Sequence, residues 1–339
     1  MVKIEIVILT NNTVLPFLNL RFDYGLDFIE LNKLYVTQSL AEHGIGFLIN
    51  IYETRNTKVT RLLKKIIFDT GGPNFTFLHN LDLRKLNLHD VDFIILSHWH
   101  YDHIGSLYKI LERIGKNIPI ICHESSQYER FFKRSKDVKK EDLLGKKRQE
   151  ILYLLRESKI INQKSIDLEL IKELKGEVIF SKGVYEILNT DELKITVSGE
   201  IPRTHKDEDF DNAIFLQDNI LKLDKIYDDK CLILEFKDNV GLLNGCCHSG
   251  LKNTLDYVKK LTDKPLRYII GGLHMAGASD ERITNTIEYL KTFQEYKESL
   301  YIFPIHCSGE KFIKAIEKEN IPKIRAFNTS VGTKFTLYG

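Results

Sequence analysis

The chain lacks most of what would mark it as a specialised class of protein. Its five cysteines, Cys122, Cys231, Cys246, Cys247 and Cys307, are odd in number and mostly far apart. That pattern argues against a disulfide framework and for reduced thiols. No run of about 18 apolar residues is present, so a membrane span is not expected. Charge of one sign is not in excess either: 49 basic residues face 47 acidic ones. A net charge of +2 offers no bulk attraction to nucleic acid or to a membrane surface. There is no repeat of fixed period and no glycine-rich phosphate loop. The opening stretch, MVKIEIVILTNNTV, has Asn11 and Asn12 where a secretory signal would need small residues for cleavage. It reads as a strand, and the protein as cytoplasmic.

With 43% hydrophobic residues, the chain can bury a sizeable core, and residues 1–339 are read as one domain. Short β-branched runs end at polar or glycine-rich junctions. They include KIEIVILT (3–10), GIGFLINIYET (44–54), KKIIFDTGG (64–72), VDFIILSH (91–98) and IPIICHE (118–124). Later ones are KITVSGEIPR (194–203), CLILEFKD (231–238), VGLLNGCCH (240–248), LRYIIGGLH (266–274), SLYIFPIH (299–306) and GTKFTLYG (332–339). Runs of this kind bounded by turns read as buried strands. Helices alternate with them late in the chain. Leu251, Leu255, Val258 and Leu261 share one face, as do Ile283, Ile287 and Leu290 in 280–293, and Phe312, Ile313 and Ile316. Strand and helix in alternation predict a layered α/β fold. Residues 125–180 are highly charged without obvious strand signals. They read as a helical insertion and a candidate cap over a site. Their Lys and Arg are interleaved with Asp and Glu, so no nucleic-acid patch is read there.

Within the stretch LSHWHYDHIG, four residues can bind metal: His98, His100, Asp102 and His103. The chain has only 11 histidines. The preceding run is a strand, and Leu107, Ile110, Leu111 and Ile114 mark a following helix. The quartet therefore sits on a strand-to-helix loop, where open α/β sheets bind ligands. His98 and His100, two residues apart on extended backbone, face the same way and can chelate one cation. Asp102 and His103 suit a second. Imidazoles with a carboxylate favour Zn²⁺, with Fe or Mn as alternatives, and the count is one or two ions. Three later strands each end in a histidine: His248, His274 and His306. On consecutive parallel strands these would converge on the same edge as the quartet.

The sequence HWHYDH after IIFDTGG resembles the metallo-β-lactamase superfamily, with its His-x-His-x-Asp-His pattern and upstream Asp-x-Gly turn. The resemblance covers most of the chain outside 125–180. It implies an α/β/β/α four-layer sandwich with metals at one edge. It makes His98, His100, Asp102, His103 and His306 ligands, and Asp69 the turn aspartate beside them. AEHGIGFLI (41–49), SGEIPR (198–203), NGCCHSGLKNTL (244–255), GGLHM (271–275) and FPIHCSG (303–309) are similar to a narrower branch. That branch includes 7,8-dihydropterin-6-methyl-4-(β-D-ribofuranosyl)aminobenzene 5'-phosphate synthases of methanopterin-type cofactor biosynthesis. The chain departs from the common pattern where Gly-Asp would supply a bridging carboxylate. Here the sequence reads Gly245, Cys246, Cys247, His248. His248 is expected to replace one ligand, with Cys246 as the alternative, a thiolate. A separate third-motif histidine has only His123 and His205 as candidates.

The expected function is that of a metal-dependent hydrolase or related metalloenzyme. Its substrate would be a small anionic molecule, phosphate-bearing or pterin-like. A nuclease or phosphodiesterase on the same fold is the alternative, and a di-iron oxidoreductase a third. Di-iron members resemble His-x-Glu-x-Asp where this chain has His100, and the near-neutral charge argues against a nuclease. A non-catalytic zinc protein would more often use a closed cysteine-rich tetrahedron. Asp102 is expected to orient or deprotonate water, and His274 to bind metal or face the substrate. Arg203 is the candidate anion clamp, and His43, beside Glu42, a candidate substrate contact. No nucleic-acid or membrane partner is expected, and a homo-oligomer is compatible with the sequence.

Overall fold

In the Val2–Thr10 strand, Ile4, Ile6 and Ile8 point to one apolar cluster while Val7 and Leu9 point to another, and all five are buried. A strand buried on both faces must lie between layers. In a computed structural model of the chain, residues 1–15, 21–24, 27–30, 39–208, 213–292 and 299–339 are described. Among them the strand belongs to a nine-stranded sheet. Its order is Gly176–Phe180, Ile118–Cys122, Phe93–Ile95, Lys58–Thr70, Gly46–Arg55, Val2–Thr10, Lys334–Tyr338, Asp27–Glu30 and Arg21–Tyr24. A seven-stranded sheet faces it, in the order Tyr185–Asn189, Leu193–Val197, Cys231–Phe236, Val240–Asn244, Leu266–Gly272, Leu300–Ile305 and Ile324–Ala326.

Between the sheets lies one core cluster that includes Ile6, Phe47 and Phe68 from the first and Leu234, Ile270 and Phe303 from the second. Outside the first sheet, the helices Thr76–Leu83, Leu107–Ile114 and Leu168–Glu173 bury Phe77, Leu111 and Ile171. Outside the second, Leu251–Leu261, Asp280–Thr292 and Glu310–Glu319 bury Leu255, Ile287 and Phe312. The architecture is an α/β/β/α sandwich. The apolar faces read from the sequence are the buried faces of these helices, except that Leu261 is half-buried. Phe293, the last residue of the expected 280–293 helix, lies outside the described residues.

The stretch 125–180 is not the helical insertion that its charge suggested. It holds the strands Glu129–Lys133, Ile160–Gln163 and Gly176–Phe180 beside the short helices Leu152–Arg156 and Leu168–Glu173. The first two strands pair with each other, and Glu129–Lys133 also pairs with Ile214–Gln217. With Ile220–Leu223 they make a four-stranded sheet over its own cluster of Phe131, Leu143, Ile151, Ile160, Ile214 and Leu221. The partner strands come from a distant part of the sequence, so no local pattern announces them. Gly176–Phe180 instead joins the edge of the nine-stranded sheet, parallel to Ile118–Cys122.

Two sets of parallel strands matter for the site. Lys58–Thr70, Phe93–Ile95 and Ile118–Cys122 run parallel in the first sheet. Val240–Asn244, Leu266–Gly272 and Leu300–Ile305 run parallel in the second. Their carboxyl ends meet at one edge of the sandwich, since His98 after one set and His248 after the other have ring centroids 4.7 Å apart.

Candidate metal centre

Asp69 ends the Lys58–Thr70 strand in left-handed backbone, φ 55°, and its side chain is fully buried. One carboxylate oxygen accepts from the Ser97 amide at 2.7 Å, and the other from the Ser97 hydroxyl at 2.7 Å and from His103 Nδ1 at 2.7 Å. A carboxylate only accepts, so the Ser97 hydroxyl donates to it and accepts from His98 Nδ1 at 2.9 Å. One buried acid thus fixes the tautomers of two imidazoles and turns both Nε2 atoms inward. Gly245 makes this possible, because a Cβ there would collide with the Ser97 hydroxyl and stand 2.7 Å from Asp69.

His98 packs against His100 and His103, with centroids at 4.4 and 4.1 Å. The Nε2 atoms of His98, His100 and His103 are buried without a hydrogen-bond partner. Leaving such atoms unpaired costs about 1–3 kcal/mol each, which a cation would offset. Asp102 Oδ2 lies 3.2 Å from His306 Nε2, 3.2 Å from His43 Nε2 and 3.8 Å from His103 Nε2.

The second sheet supplies the opposite wall. His248 sits 4.7 and 4.9 Å from the His98 and His100 rings, and His274 4.1 Å from His248. His306 is 5.1 Å from His103. His274 and His306 both take left-handed backbone, φ 49° and 54°. Non-glycine residues adopt this conformation at a cost, and strain of this kind clusters at active sites. Asn12 Oδ1 accepts from His306 Nδ1 at 3.0 Å, and Asn11 Oδ1 accepts from the His306 amide at 3.0 Å. His306 Nε2 is therefore also turned towards the centre.

Among the described residues, four sets of donor atoms, each mutually within 4.8 Å, could hold an ion: His98, Cys246 and His248; His103, Cys246 and His306; His43, Asp102 and His306; Cys246, His274 and Cys307. Electrostatics fit a cation here. Burial and neighbouring imidazoles hold His98 well below its ordinary pKa, and burial with His248 and Arg130 does the same to His100, so both are neutral donors. Burial alone would push the Asp102 carboxyl up, but His103, His306 and His43 hold it well below the usual carboxylate range. Burial opposes protonation of His103 too, yet Asp69 and Asp102 raise it to about 9. Without an ion that imidazole keeps a proton at the position a cation would take. A cleft of about 740 Å³ opens over the centre, floored by His100, His248 and His274 and walled by Phe132, Lys133 and Arg282.

Arg203 is not the anion clamp that its sequence suggested. Its guanidinium donates to the His248 carbonyl at 3.0 Å, to the Ile226 carbonyl at 3.3 Å and to that of Lys225, so it positions the His248 loop. His123 and His205 also stand apart from the cluster. His123 pairs with Glu200 at 2.8 Å and His205 with Asp256 at 2.8 Å, and His248 takes the place beside His98 and His100 instead. His43 lies at the rim, half-exposed, its pKa raised first by the hydrogen bond to Asp102. Glu42 accepts from the Asn74 amide at 3.0 Å and ties two loops. Several supporting residues escaped the sequence reading. Arg130 is fully buried and donates to Asp228 at 2.7 and 3.0 Å, to Asp224 at 2.6 Å and to the Trp99 carbonyl at 2.6 Å. Asp228 in turn accepts from the Trp99 amide at 2.7 Å, so this network grips the residue between His98 and His100. Asn11 and Asn12 gave no signal beyond their polarity.

Residues 63–203 match the model of the metallo-beta-lactamase superfamily, and that span carries Asp69 and the whole quartet. Over that span the chain is similar to this superfamily. A solved structure described as a metal-dependent hydrolase of the beta-lactamase superfamily matches 99% of this chain and 100% of its own, with a TM-score of 0.66 and 16% identity. That likeness shows the shared fold. An uncharacterized protein of Methanocaldococcus jannaschii is 28% identical over 280 residues, 83% of this chain and 89% of the relative. A second relative from the same organism, named 7,8-dihydropterin-6-methyl-4-(beta-D-ribofuranosyl)-aminobenzene-5'-phosphate synthase, is 29% identical over 282 residues, 80% of this chain and 82% of the relative. The superfamily fold generally binds divalent metals. No described helix is long and apolar enough to cross a membrane.

Proposed function

We propose that the protein is a metallohydrolase, or a closely related metalloenzyme, acting on a small anionic molecule that bears a phosphate or a pterin-like ring. The observation that carries this reading is the set of buried Nε2 atoms without a hydrogen-bond partner on His98, His100 and His103, three packed imidazoles of which His100 reaches the floor of the cleft. His98, His100 and His248 would hold one ion, and Asp102, His103 and His306 a second, Zn²⁺ by donor type with Fe or Mn as alternatives. A divalent ion so held lowers the pKa of a water and polarises a carbonyl or phosphoryl oxygen.

The residues around it divide the remaining work. Asp102, held ionised by three imidazoles, orients rather than accepts a proton. His43, half-exposed and 3.2 Å from Asp102, links the centre to solvent and can pass a proton either way. His274 borders the cleft beside His248, where it can donate to a substrate or leaving group. Phe132 and Ile226 offer apolar wall to a flat ring, and Lys133 and Arg282 offer positive charge to a phosphate. The name of the 29% identical relative supports a pterin-type substrate.

The test is hydrolysis of small aryl phosphate mono- and diesters by the protein as purified. Turnover should stop with a chelator, return with Zn²⁺, Mn²⁺ or Fe²⁺, and be absent from a His98→Ala, His100→Ala double variant. Turnover that ignores both chelator and double variant would contradict the reading.

A further inference from the structure

Cys246 is common to three of the four donor sets among the described residues. Its sulfur lies within 4.8 Å of donors from His98 and His248 on one side, and within 4.8 Å of donors from His103 and His306 on the other. We infer that Cys246 supplies a thiolate shared by two metal ions, one taking His98 and His248 and the other His103 and His306. The inference deepens the metalloenzyme reading above and rests on it.

The chemistry of the place supports a bridging sulfur. Two dications a few ångströms apart repel, and an anion between them offsets that repulsion. Among the described residues, no carboxylate shares a donor set with His98 and His248. Asp69 is committed to Ser97 and His103, and the ring contacts of Asp102 are with His43, His103 and His306, not with the His98 side. A thiolate has lone pairs for two ions, each at about 2.3 Å. The sulfur is also held in place: His274 Nδ1 lies 3.4 Å away, the Cys307 sulfur 2.9 Å away, and Cys307 Sγ donates to the Cys246 carbonyl at 3.3 Å. Cys307 itself joins a single donor set, on the cleft side. Binding of the ions releases the thiol proton of Cys246 to solvent.

The test uses the full chain, kept reduced and loaded with Co²⁺ in steps. Thiolate-to-cobalt charge-transfer absorption should grow through both the first and the second equivalent. X-ray absorption of the Zn²⁺ form should show a sulfur scatterer at about 2.3 Å among nitrogen and oxygen. Cys246→Ser should lose both signatures, and Cys307→Ser should keep them. Absorption that saturates at one equivalent while a second ion binds silently makes the sulfur a terminal ligand and overturns the bridge. Bound metal with no sulfur signature overturns the ligand assignment and leaves the metalloenzyme reading standing, whereas a wild-type chain that binds no metal sinks both. Signatures lost in Cys307→Ser but kept in Cys246→Ser would assign the wrong cysteine. If Cys246→Ser does not fold, the wild-type titration still tests the bridge and Cys307→Ser tests which cysteine supplies it.

Discussion

On the first sheet's side of the centre, His98, His100, Asp102 and His103 come from one loop, and a single carboxylate, Asp69, orients His103 directly and His98 through Ser97. On the second sheet's side, His248, His274 and His306 come from three separate strand ends. Each of these has its own support: Arg203 under the His248 carbonyl, Arg282 on that of His274 at 3.1 Å, and Asn11 with Asn12 on His306. The first wall concentrates its support in one residue and the second distributes it. Damage to the first should therefore spread over several donors, and damage to the second should stay with one.

The comparison can be broken in four ways. The largest effect is expected from Asp69→Ala, which frees both His103 and His98. Metal affinity should fall by more than about 100-fold, since one lost support alone costs about 10–100-fold. Stability should fall by about 3 kcal/mol, because buried donors lose their acceptor. Metal analysis and urea unfolding read the two. Arg130→Met comes next. It strands Asp224 and Asp228 in the interior beneath Trp99, and should cost about 3 kcal/mol in urea unfolding. A stable Arg130→Met protein would show that the grip on the histidine loop lies elsewhere.

Lys230 sharpens the account from below the loop. Its amide donates to the Ser97 carbonyl at 3.1 Å, while its buried Nζ lacks a hydrogen-bond partner. Burial lowers its pKa from 10.5 to about 8. The cost of folding with a charged Lys230 is thus fully present below pH 8 and disappears as pH rises through 10.5. Lys230→Met should be more stable than wild type by about 2–3 kcal/mol at pH 7, and the gap should close above pH 8. A gap that does not change with pH would refute this cause. The smallest effect is expected for Asn12→Ala, which loosens His306 of the three second-wall histidines, together with His43 at the rim and the Gly44 amide, and should weaken metal binding about tenfold. If Asn12→Ala lost as much metal as Asp69→Ala, the contrast between concentrated and distributed support would fail.

The same contrast explains what the sequence could show. The quartet was legible because its four donors are neighbours, and its loop position followed from an apolar run ending at Ser97. The convergence of His248, His274 and His306 needed only the expectation of consecutive parallel strands. Apolar spacing marked the outer helices because burial selects one face of each. The four-stranded sheet around Phe131 and Ile214 was hidden, since its strands are four or five residues long and paired across distant sequence. Arg203 misled because a guanidinium suits a backbone carbonyl as well as a phosphate. Asn12 was invisible, since nothing local says that its amide will meet His306. The part played by Cys246 depends on its lying between two walls, which only the fold decides.

The central claim is that both walls close on one metal centre. Anomalous scattering from crystals of the protein as purified tests it most directly. The account predicts transition-metal peaks touching residues of both walls, with His98 and His248 around one ion and His103 and His306 around another. A peak bound by the quartet alone, with His306 more than about 6 Å away and so beyond direct or water-bridged reach, would contradict it.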